Sequence, residues 1–142
     1  MLDSHFIGEI TEQQVTLEFL KNGILVSKPI VPSARYDLIA DINNNLYKIQ
    51  VKTCKLKENS YLDFATSTSH TNSQGTKNIS YTSNEVDFFA TIYNSQCYLI
   101  PFDLCGKRAQ RLRIIPSKNN QTKGILFAKD FKLEDMIIKI NR

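Results

Sequence analysis

The sequence contains few residues of the kinds that form disulfides or bind zinc. Its only cysteines are Cys54, Cys97 and Cys105, and its only histidines are His5 and His70. No two cysteines form a Cys-x-x-Cys pair, and an odd number cannot all be paired within one chain. We therefore expect free thiols, and neither a disulfide framework nor a four-ligand structural zinc site.

Long apolar runs are also missing. A membrane-spanning helix needs about 18 or more consecutive apolar residues, and the start of the chain, MLDSHFIGEI, lacks the basic and apolar regions of a signal peptide. We expect a soluble, cytoplasmic protein with no membrane partner. The 142 residues predict one domain, because two domains of about 70 residues would each have a marginal core.

Carboxylates are missing from two segments. Residues 64–84 contain no Asp or Glu and are rich in Ser, Thr and Asn, which predicts a polar loop. Residues 104–129 also lack carboxylates, in a chain of net charge +4. A stretch of this kind fits a polyanion such as nucleic acid, or a solvated basic face. Its basic residues are Lys107, Arg108, Arg111, Arg113, Lys118, Lys123 and Lys129.

The first predicted element is a helix. Asp3 or Ser4 can cap it, and the segment Lys21-Asn22-Gly23 can end it. Apolar residues recur between these limits near the helical period of 3.6. These residues are Phe6, Ile10, Leu17 and Leu20.

A β-hairpin is predicted over residues 35–54, RYDLIADINNNLYKIQVKTC. Every second residue of 36–42, and again of 47–53, is apolar or Thr, which is the pattern of two strands with one buried face. The Asn triplet 43–45 suits the tight turn between them. Because the buried faces must match, Asp37 faces either Gln50 or Lys52, and the three residues form one polar cluster.

Shorter strands are predicted elsewhere in the chain. Residues 24–27 and 111–115 each resemble one strand, while 85–93 and 96–101 resemble a second hairpin around Asn94-Ser95. The arginines of 111–115 lie on the face opposite Leu112. Residues 132–139 fit either a helix or a strand.

The polar cluster has two interpretations. One is an exposed ion pair, worth about 0–1 kcal/mol. The other is a Mg²⁺ site, because this ion takes one or two carboxylates and keeps water and phosphate oxygens in its shell. Asp37 and the Val51 carbonyl would be ligands, Gln50 could offer a neutral oxygen, and Lys52 could stabilise charge on phosphate or orient a water.

The order of these segments resembles the core of the PD-(D/E)XK nuclease superfamily, in the variant whose motif ends in QxK. The resemblance is strongest to the group I intron-encoded homing endonucleases of cyanobacterial type, and it covers residues 5–101. It implies an α/β, restriction-endonuclease-like core with a mixed central sheet flanked by helices. Residues 102–142 would be an extension for oligomerisation or DNA binding. The matching segments are IGEITEQ, GILVSKP, RYDLIAD, YKIQVKT, EVDFFA and YLIP.

The resemblance also implies roles for the site residues. Asp37 matches the metal-binding aspartate and Lys52 the catalytic lysine. Glu12 matches the helix carboxylate that completes the metal shell, with Glu9 as its rival. Gln50 departs from the Asp or Glu found in most of the superfamily, which removes one negative charge near the metal. The implied activity is Mg²⁺-dependent, site-specific hydrolysis of both strands of a near-palindromic DNA target by a homo-oligomer, a dimer or a tetramer.

DNA contacts are predicted from position and chemistry. Lysines immediately beyond the motif would touch the backbone near the cut, the polar segment 64–84 would lie along a groove, and basic residues downstream would add phosphate contacts. The predicted contacts are Lys55, Lys57, His70, Lys77, Tyr81, Arg108, Arg111 and Arg113.

Other functions remain open from the sequence. A Holliday-junction resolvase or a small restriction-type endonuclease could use the same cluster. A non-catalytic DNA-binding module could keep the sheet alone, although it would have no need of a carboxylate facing phosphate.

Overall fold

The chain begins with helix α1, Ser4–Lys21, in a computed structural model that describes residues 1–141. The Asp3 carboxylate caps it by accepting hydrogen bonds from the backbone N–H groups of His5 and Phe6, at 3.0 and 3.1 Å. Gly23, with φ of 74°, follows the last turn in the left-handed conformation that glycine allows.

The apolar residues whose spacing predicts helix α1 do not face the core. Thr11, Val15 and Phe19 are its buried residues. The apolar residues at helical spacing lie on the other side and are 43–61% exposed. Both sets fit a period near 3.6, so the spacing predicts the helix and not its orientation. The exposed residues are Phe6, Ile10, Leu17 and Leu20.

Strands and a second helix make up the rest of the architecture. Helix α2 spans Leu133–Ile140, so the helical alternative for 132–139 is correct. Within residues 1–141, the strands in chain order are β1 Leu25–Ser27, β2 Leu38–Ile42, β3 Asn45–Val51, β4 Lys55–Lys57, β5 Tyr61–Ala65, β6 Ser67–Asn72, β7 Gly75–Ser80, β8 Phe88–Tyr93, β9 Gln96–Pro101, β10 Ala109–Arg113 and β11 Leu126–Phe127.

The central sheet is mixed, as predicted. Its strand order is β1-β2-β3-β8-β9. β3 and β8 run parallel, and the other neighbours are antiparallel. Helix α1 packs on this sheet and α2 beside β9, so the α/β class with a mixed central sheet is confirmed.

The hairpin of β2 and β3 has one of the two predicted registers. Leu38 pairs with Ile49, and Ile42 pairs with Asn45, around a two-residue Asn turn in which both residues have positive φ. This register places Asp37 beside Gln50 rather than Lys52. The central inward residues are buried, as the alternation requires.

Two further sheets lie downstream of the hairpin. One has the order β11-β10-β5-β4, and the other is the two-stranded ribbon of β6 and β7. The ribbon occupies most of residues 64–84, so the polar loop predicted there is wrong. Its strands are polar and almost wholly exposed, and such strands carry no hydrophobic alternation to reveal them.

Residues 102–141 contribute to the same hydrophobic core as the rest of the chain. Leu112 of β10 pairs with Leu62 of β5, and both are fully buried. Leu133 and Met136 of α2 join the same cluster. In residues 1–141, no helix is long and apolar enough to cross a bilayer.

Candidate active site

Asp37 is fixed at the start of β2 by the neighbouring strand. Its backbone N–H donates to the Ile49 carbonyl at 2.9 Å. Its carboxylate accepts a hydrogen bond from the Val51 backbone N–H, also at 2.9 Å. A strand residue directs its N–H and C=O to the same side, so the Val51 carbonyl points toward the same edge of β3 as the carboxylate.

The environment of Asp37 changes its protonation. Burial raises the pKa of this carboxyl from 3.8 to about 6; the Val51 hydrogen bond lowers it, the negative charge of Glu12 raises it, and the positive charges of Lys52 and Lys28 lower it. A half-buried carboxylate next to a second carboxylate is a site that a cation would stabilise.

Glu12 reaches the site from α1. Its carboxylate accepts from the Lys28 ammonium at 3.1 Å, and a hollow of about 170 Å³ lies between Glu12, Lys28 and Asp37. The Oγ1 atoms of Thr11 and Thr53 lie 2.8 Å apart, which joins the helix beside Glu12 to the end of the active-site strand. Lys28 was not predicted as a site residue, because nothing in its sequence context distinguishes it from a surface lysine.

Lys52 and Gln50 lie on the opposite face of β3 from the buried residues Ile49 and Val51. The Lys52 ammonium lies 3.4 Å from the Ser67 carbonyl oxygen and 5.0 Å from the centre of the Tyr81 ring. The lysine is therefore directed from the motif toward the base of the ribbon.

Arg35 is a residue that sequence reasoning missed. Its guanidinium lies 4.0 Å from the centre of the Tyr81 ring and donates to the Glu85 carboxylate at 3.1 Å. It also donates to the Thr68 hydroxyl at 2.9 Å and to the Ser80 carbonyl at 3.2 Å. It therefore joins the segment that leads into Asp37 to both ribbon strands. Its place two residues before Asp37 was the one available signal.

The donor set fits a hard divalent cation. In the described part of the chain, no three His, Cys, Asp or Glu side chains cluster closely enough to hold a metal by themselves. Two carboxylates and a carbonyl are nevertheless a suitable set for Mg²⁺, which completes its shell with water and substrate phosphate. Asp37, Glu12 and Val51 are the residues that would hold it.

A family model described as PD-(D/E)XK endonuclease matches residues 2–134. The chain belongs to this endonuclease family. Members of the family typically use divalent metal ions, and their substrate is DNA. The endonuclease is also similar in structure to "a bacterial homing endonuclease", I-Ssp6803I, with a TM-score of 0.76 and 22% sequence identity, over 96% of this chain and 93% of that chain. No curated protein matches at the sequence level.

The ribbon of the endonuclease has two distinct faces. His70 pairs directly with Lys77, so they share one face with Thr68, whose hydroxyl contacts Arg35 and the Tyr81 hydroxyl. We call this the inner face, because it continues into the active site. The Thr71–Thr76 pair lies on the outer face, where the two hydroxyls are 3.0 Å apart.

Tyr81 does not lie where the DNA-contact prediction requires. Its side chain is buried, at 8% exposure, and packs edge-on against Phe89 with ring centroids 5.7 Å apart. The ring instead supports the Arg35 and Lys52 cations. This packing leaves little of the Tyr81 surface for the predicted DNA contact.

Four of the predicted basic DNA contacts lie together on the second sheet. Register puts Lys55, Lys57, Arg111 and Arg113 on one face of the second sheet, with Asp63 as a carboxylate among them. We call this surface the basic sheet face.

Some of its cations are already engaged. Lys57 pairs with Asp63 at 2.8 Å, and that hydrogen bond raises the pKa of Lys57. Arg111 lies over the Tyr61 ring at 4.6 Å. Arg108 lies apart from the basic sheet face, in an exposed loop. Its backbone carbonyl accepts a hydrogen bond from the Thr66 N–H at 2.9 Å.

Proposed function

We propose that this endonuclease is a site-specific, homing-type enzyme that uses Mg²⁺ to cut both strands of a near-palindromic DNA target. The observation that carries the proposal is the Asp37 carboxylate held on the Val51 N–H at 2.9 Å, with Glu12 and Lys52 close enough for their charges to act on it. The structural similarity to a homing endonuclease supports the site-specific part of the proposal.

The chain's own residues divide the work. Asp37, Glu12 and the Val51 carbonyl would hold the cation, and Glu12 would then give up its contact with Lys28. Lys28 is then free to contact a phosphate oxygen. A bound Mg²⁺ would polarise the scissile phosphate and lower the pKa of a bound water.

Lys52 and Gln50, on either side of Val51 in the sequence, act on the phosphate as well. Lys52 orients the attacking water and stabilises the charge that develops on phosphate. Gln50 offers a neutral oxygen in place of a carboxylate, which keeps the site less negative and favours approach of the DNA backbone.

The ribbon is proposed as the element that reads the target. A two-stranded antiparallel ribbon fits the major groove of B-DNA. Its inner face carries His70 and Lys77, which can contact base edges or phosphates. This face continues through Thr68 and Arg35 toward the candidate active site, which supports groove contacts and cleavage on one side of the molecule.

The basic sheet face is proposed to bind the DNA backbone. Lys55, Arg111 and Arg113 would contact phosphates, because Asp63 is a lone carboxylate among them. Lys57 would contribute less while it stays paired with Asp63. Arg108 would add a phosphate contact near the ribbon base. Contacts of this kind position the protein without reading sequence.

Two strands require two active centres, so the protein is proposed to act as a homo-oligomer, a dimer or a tetramer. A two-fold axis through the pair would match a near-palindromic target. The cytoplasm is the proposed compartment, since Cys54, Cys97 and Cys105 are free thiols in the described chain.

The first test is cleavage of a plasmid library of genomic fragments, beside a synthetic four-way junction. We expect Mg²⁺-dependent double-strand cutting at one sequence and no cutting with Ca²⁺. Asp37→Ala and Lys52→Ala should each reduce cleavage at least a hundredfold, because each removes a group that acts on the reacting phosphate. Lys139→Ala, on α2 and away from the site, is the matched lysine control.

Each alternative gives a different pattern in this assay. Cutting of the junction alone would identify a resolvase, and binding without cutting would identify a DNA-binding module. Asp37→Ala protein that cuts as fast as the native enzyme would refute the assigned site.

Target reading is tested with the two faces of the ribbon. His70→Ala and Lys77→Ala should weaken specific binding, and Lys77→Ala should also lower the salt dependence of binding by about one charge. Thr71→Ala, on the outer face, is the control. Equal effects from both faces would contradict the proposed orientation of the ribbon.

A further inference from the structure

The outer face of α1 carries a regular apolar stripe. We define the outer stripe as Phe6, Ile10, Gln13, Leu17 and Leu20, which are spaced by four, three, four and three residues. At 100° per residue these positions fall within an arc of about 80° and span about 21 Å. Spacing of this kind is that of a helix that packs against another helix.

The stripe points directly away from the protein's own core. The buried residues Thr11, Val15 and Phe19 lie on the opposite side of the helix. Ser4 to Ile10 are all exposed, so the first two turns extend beyond the core. A helix that is apolar on both faces is normally covered on both, and nothing in residues 1–141 covers the side away from the core.

The charges of α1 narrow the choice of what covers it. The helix carries Glu9, Glu12 and Glu18 against a single lysine, Lys21. Of these, Glu9 borders the stripe and would oppose an anionic membrane there, whereas Glu12 lies on another side of the helix, at the candidate metal site. The cover must therefore be an apolar surface with few negative charges along its centre, and the stripe itself is such a surface.

The stripe is complementary to a second copy of itself. About an axis at Gln13, an antiparallel pair of stripes brings Phe6 beside Leu20 of the other copy and Ile10 beside Leu17. Lys21 then lies close to Asp3 at the opposite helix end, which adds an attraction between unlike charges. The two Gln13 amides meet at the axis, and one polar pair in an apolar seam fixes its register.

We infer that the outer stripe of α1 is the surface through which two copies of this chain pack antiparallel to each other. The inference rests on the oligomer part of the proposed function and names the surface that forms it. A hollow of about 320 Å³ lies beside the stripe, lined by Leu17, Ile92 and Asn94 among others, and side chains of the second copy would enter it. Such a contact extends the interface beyond the two helices, which alone would bury less area than a standard protein–protein interface.

The stripe is tested by charge substitution. The native protein should sediment at 16.3 kDa per chain times two or four, and the double variant Ile10→Glu, Leu17→Glu should sediment at half the native mass, as a single chain from a dimer or as a dimer from a tetramer. Both positions are exposed, so circular dichroism should stay native. Ile138→Glu, at an exposed apolar position of α2, is the matched control and should leave the mass unchanged.

Cross-linking tests the orientation without disturbing the stripe. Gln13→Cys should form a disulfide between copies on mild oxidation, and Phe6→Cys alone should not. Mixing Phe6→Cys with Leu20→Cys should restore a cross-link. Self-cross-linking of Phe6→Cys as efficient as that of Gln13→Cys would overturn the antiparallel arrangement.

The outcomes separate the inference from the proposal on which it rests. A native protein that is monomeric overturns both. A native oligomer whose mass survives the double glutamate substitution overturns the stripe alone and leaves the proposed oligomer on another surface. DNA cleavage by the native protein, measured separately, reports on the active site and not on the stripe.

Discussion

Replacing Asp37 by Asn should stabilise the metal-free protein, and the gain should depend on pH. Burial raises the pKa of Asp37 from 3.8 to about 6, so the native state holds this proton more tightly than the unfolded chain does. The native protein therefore loses stability as pH rises from about 4 through 6. Asparagine has no charge to desolvate and can still accept the Val51 hydrogen bond.

The size of the gain follows from the two pKa values. Each tenfold difference in proton affinity is worth about 1.4 kcal/mol, so the interval between 3.8 and about 6 sets an upper limit of about 3 kcal/mol at pH 8. The carboxyl is only half-buried, and solvent screening reduces this to about 1.5 kcal/mol. Below pH 4 the difference between Asp37→Asn and native protein should vanish.

The assay is urea unfolding at a fixed protein concentration, at steps between pH 4 and pH 8. Asp41→Asn, four residues further along the hairpin, reports what the removal of a carboxylate within β2 does. Added Mg²⁺ should stabilise the native protein at pH 8 more than at pH 5, because it binds the ionised carboxylate, and should stabilise Asp37→Asn little. A gain that is constant across the pH range, or a loss at pH 8, would refute the reasoning.

Further substitutions test other parts of the structure. Arg35→Ala should lower kcat/KM for the specific target about tenfold, because it frees the ribbon from the active site. Arg35→Lys should restore little of this activity, because lysine lacks the planar fork of the guanidinium. Full activity in Arg35→Ala would contradict a functional link between the ribbon and the active site through Arg35. Gly106→Ala should cost about 1–3 kcal/mol of unfolding free energy, since its Cβ would lie 2.6 Å from the Ala109 carbonyl oxygen. Gly8→Ala, with nothing within 4 Å, should instead stabilise α1 by up to about 1 kcal/mol, so equal urea midpoints for the two glycine variants would show the contact to be unimportant. Phe19→Ala, at a fully buried position, should cost about 3–5 kcal/mol in the same urea assay, and a cost under 1 kcal/mol would place the core elsewhere.

The active-site hairpin could be predicted from the sequence because the patterns that specify it involve residues close together in the chain. Alternation over 36–42 and 47–53 fixes which side chains are inward, and the parity of the register follows from burial. The turn was equally readable, since Asn43 and Asn44 take up the positive φ values of 54° and 65° that Asn tolerates.

The ribbon, the second sheet and the partners of Arg35 could not be read in the same way. β6 and β7 are polar on both faces, so no periodicity separates them from a loop. β5 has consecutive buried residues, Tyr61 and Leu62, which conceals its alternation. The contacts of Arg35 join residues that are 33 to 50 positions apart in the sequence. No local sequence pattern predicts contacts over such separations.

The connection between β3 and β8 has a consequence for how this enzyme could acquire new targets. Parallel neighbours need a crossover, most often a helix, and here residues 52–87 fill it with β4, β5 and the ribbon. The ribbon is thus an insertion within a connection whose two ends are fixed by pairing of Ile49 with Phe88. Under the proposed role of the ribbon, sequence drift at its tip would change which DNA is recognised while the strands next to Asp37 and Lys52 keep their register. Under the same proposed role, DNA specificity could evolve at a different pace from the cleavage chemistry.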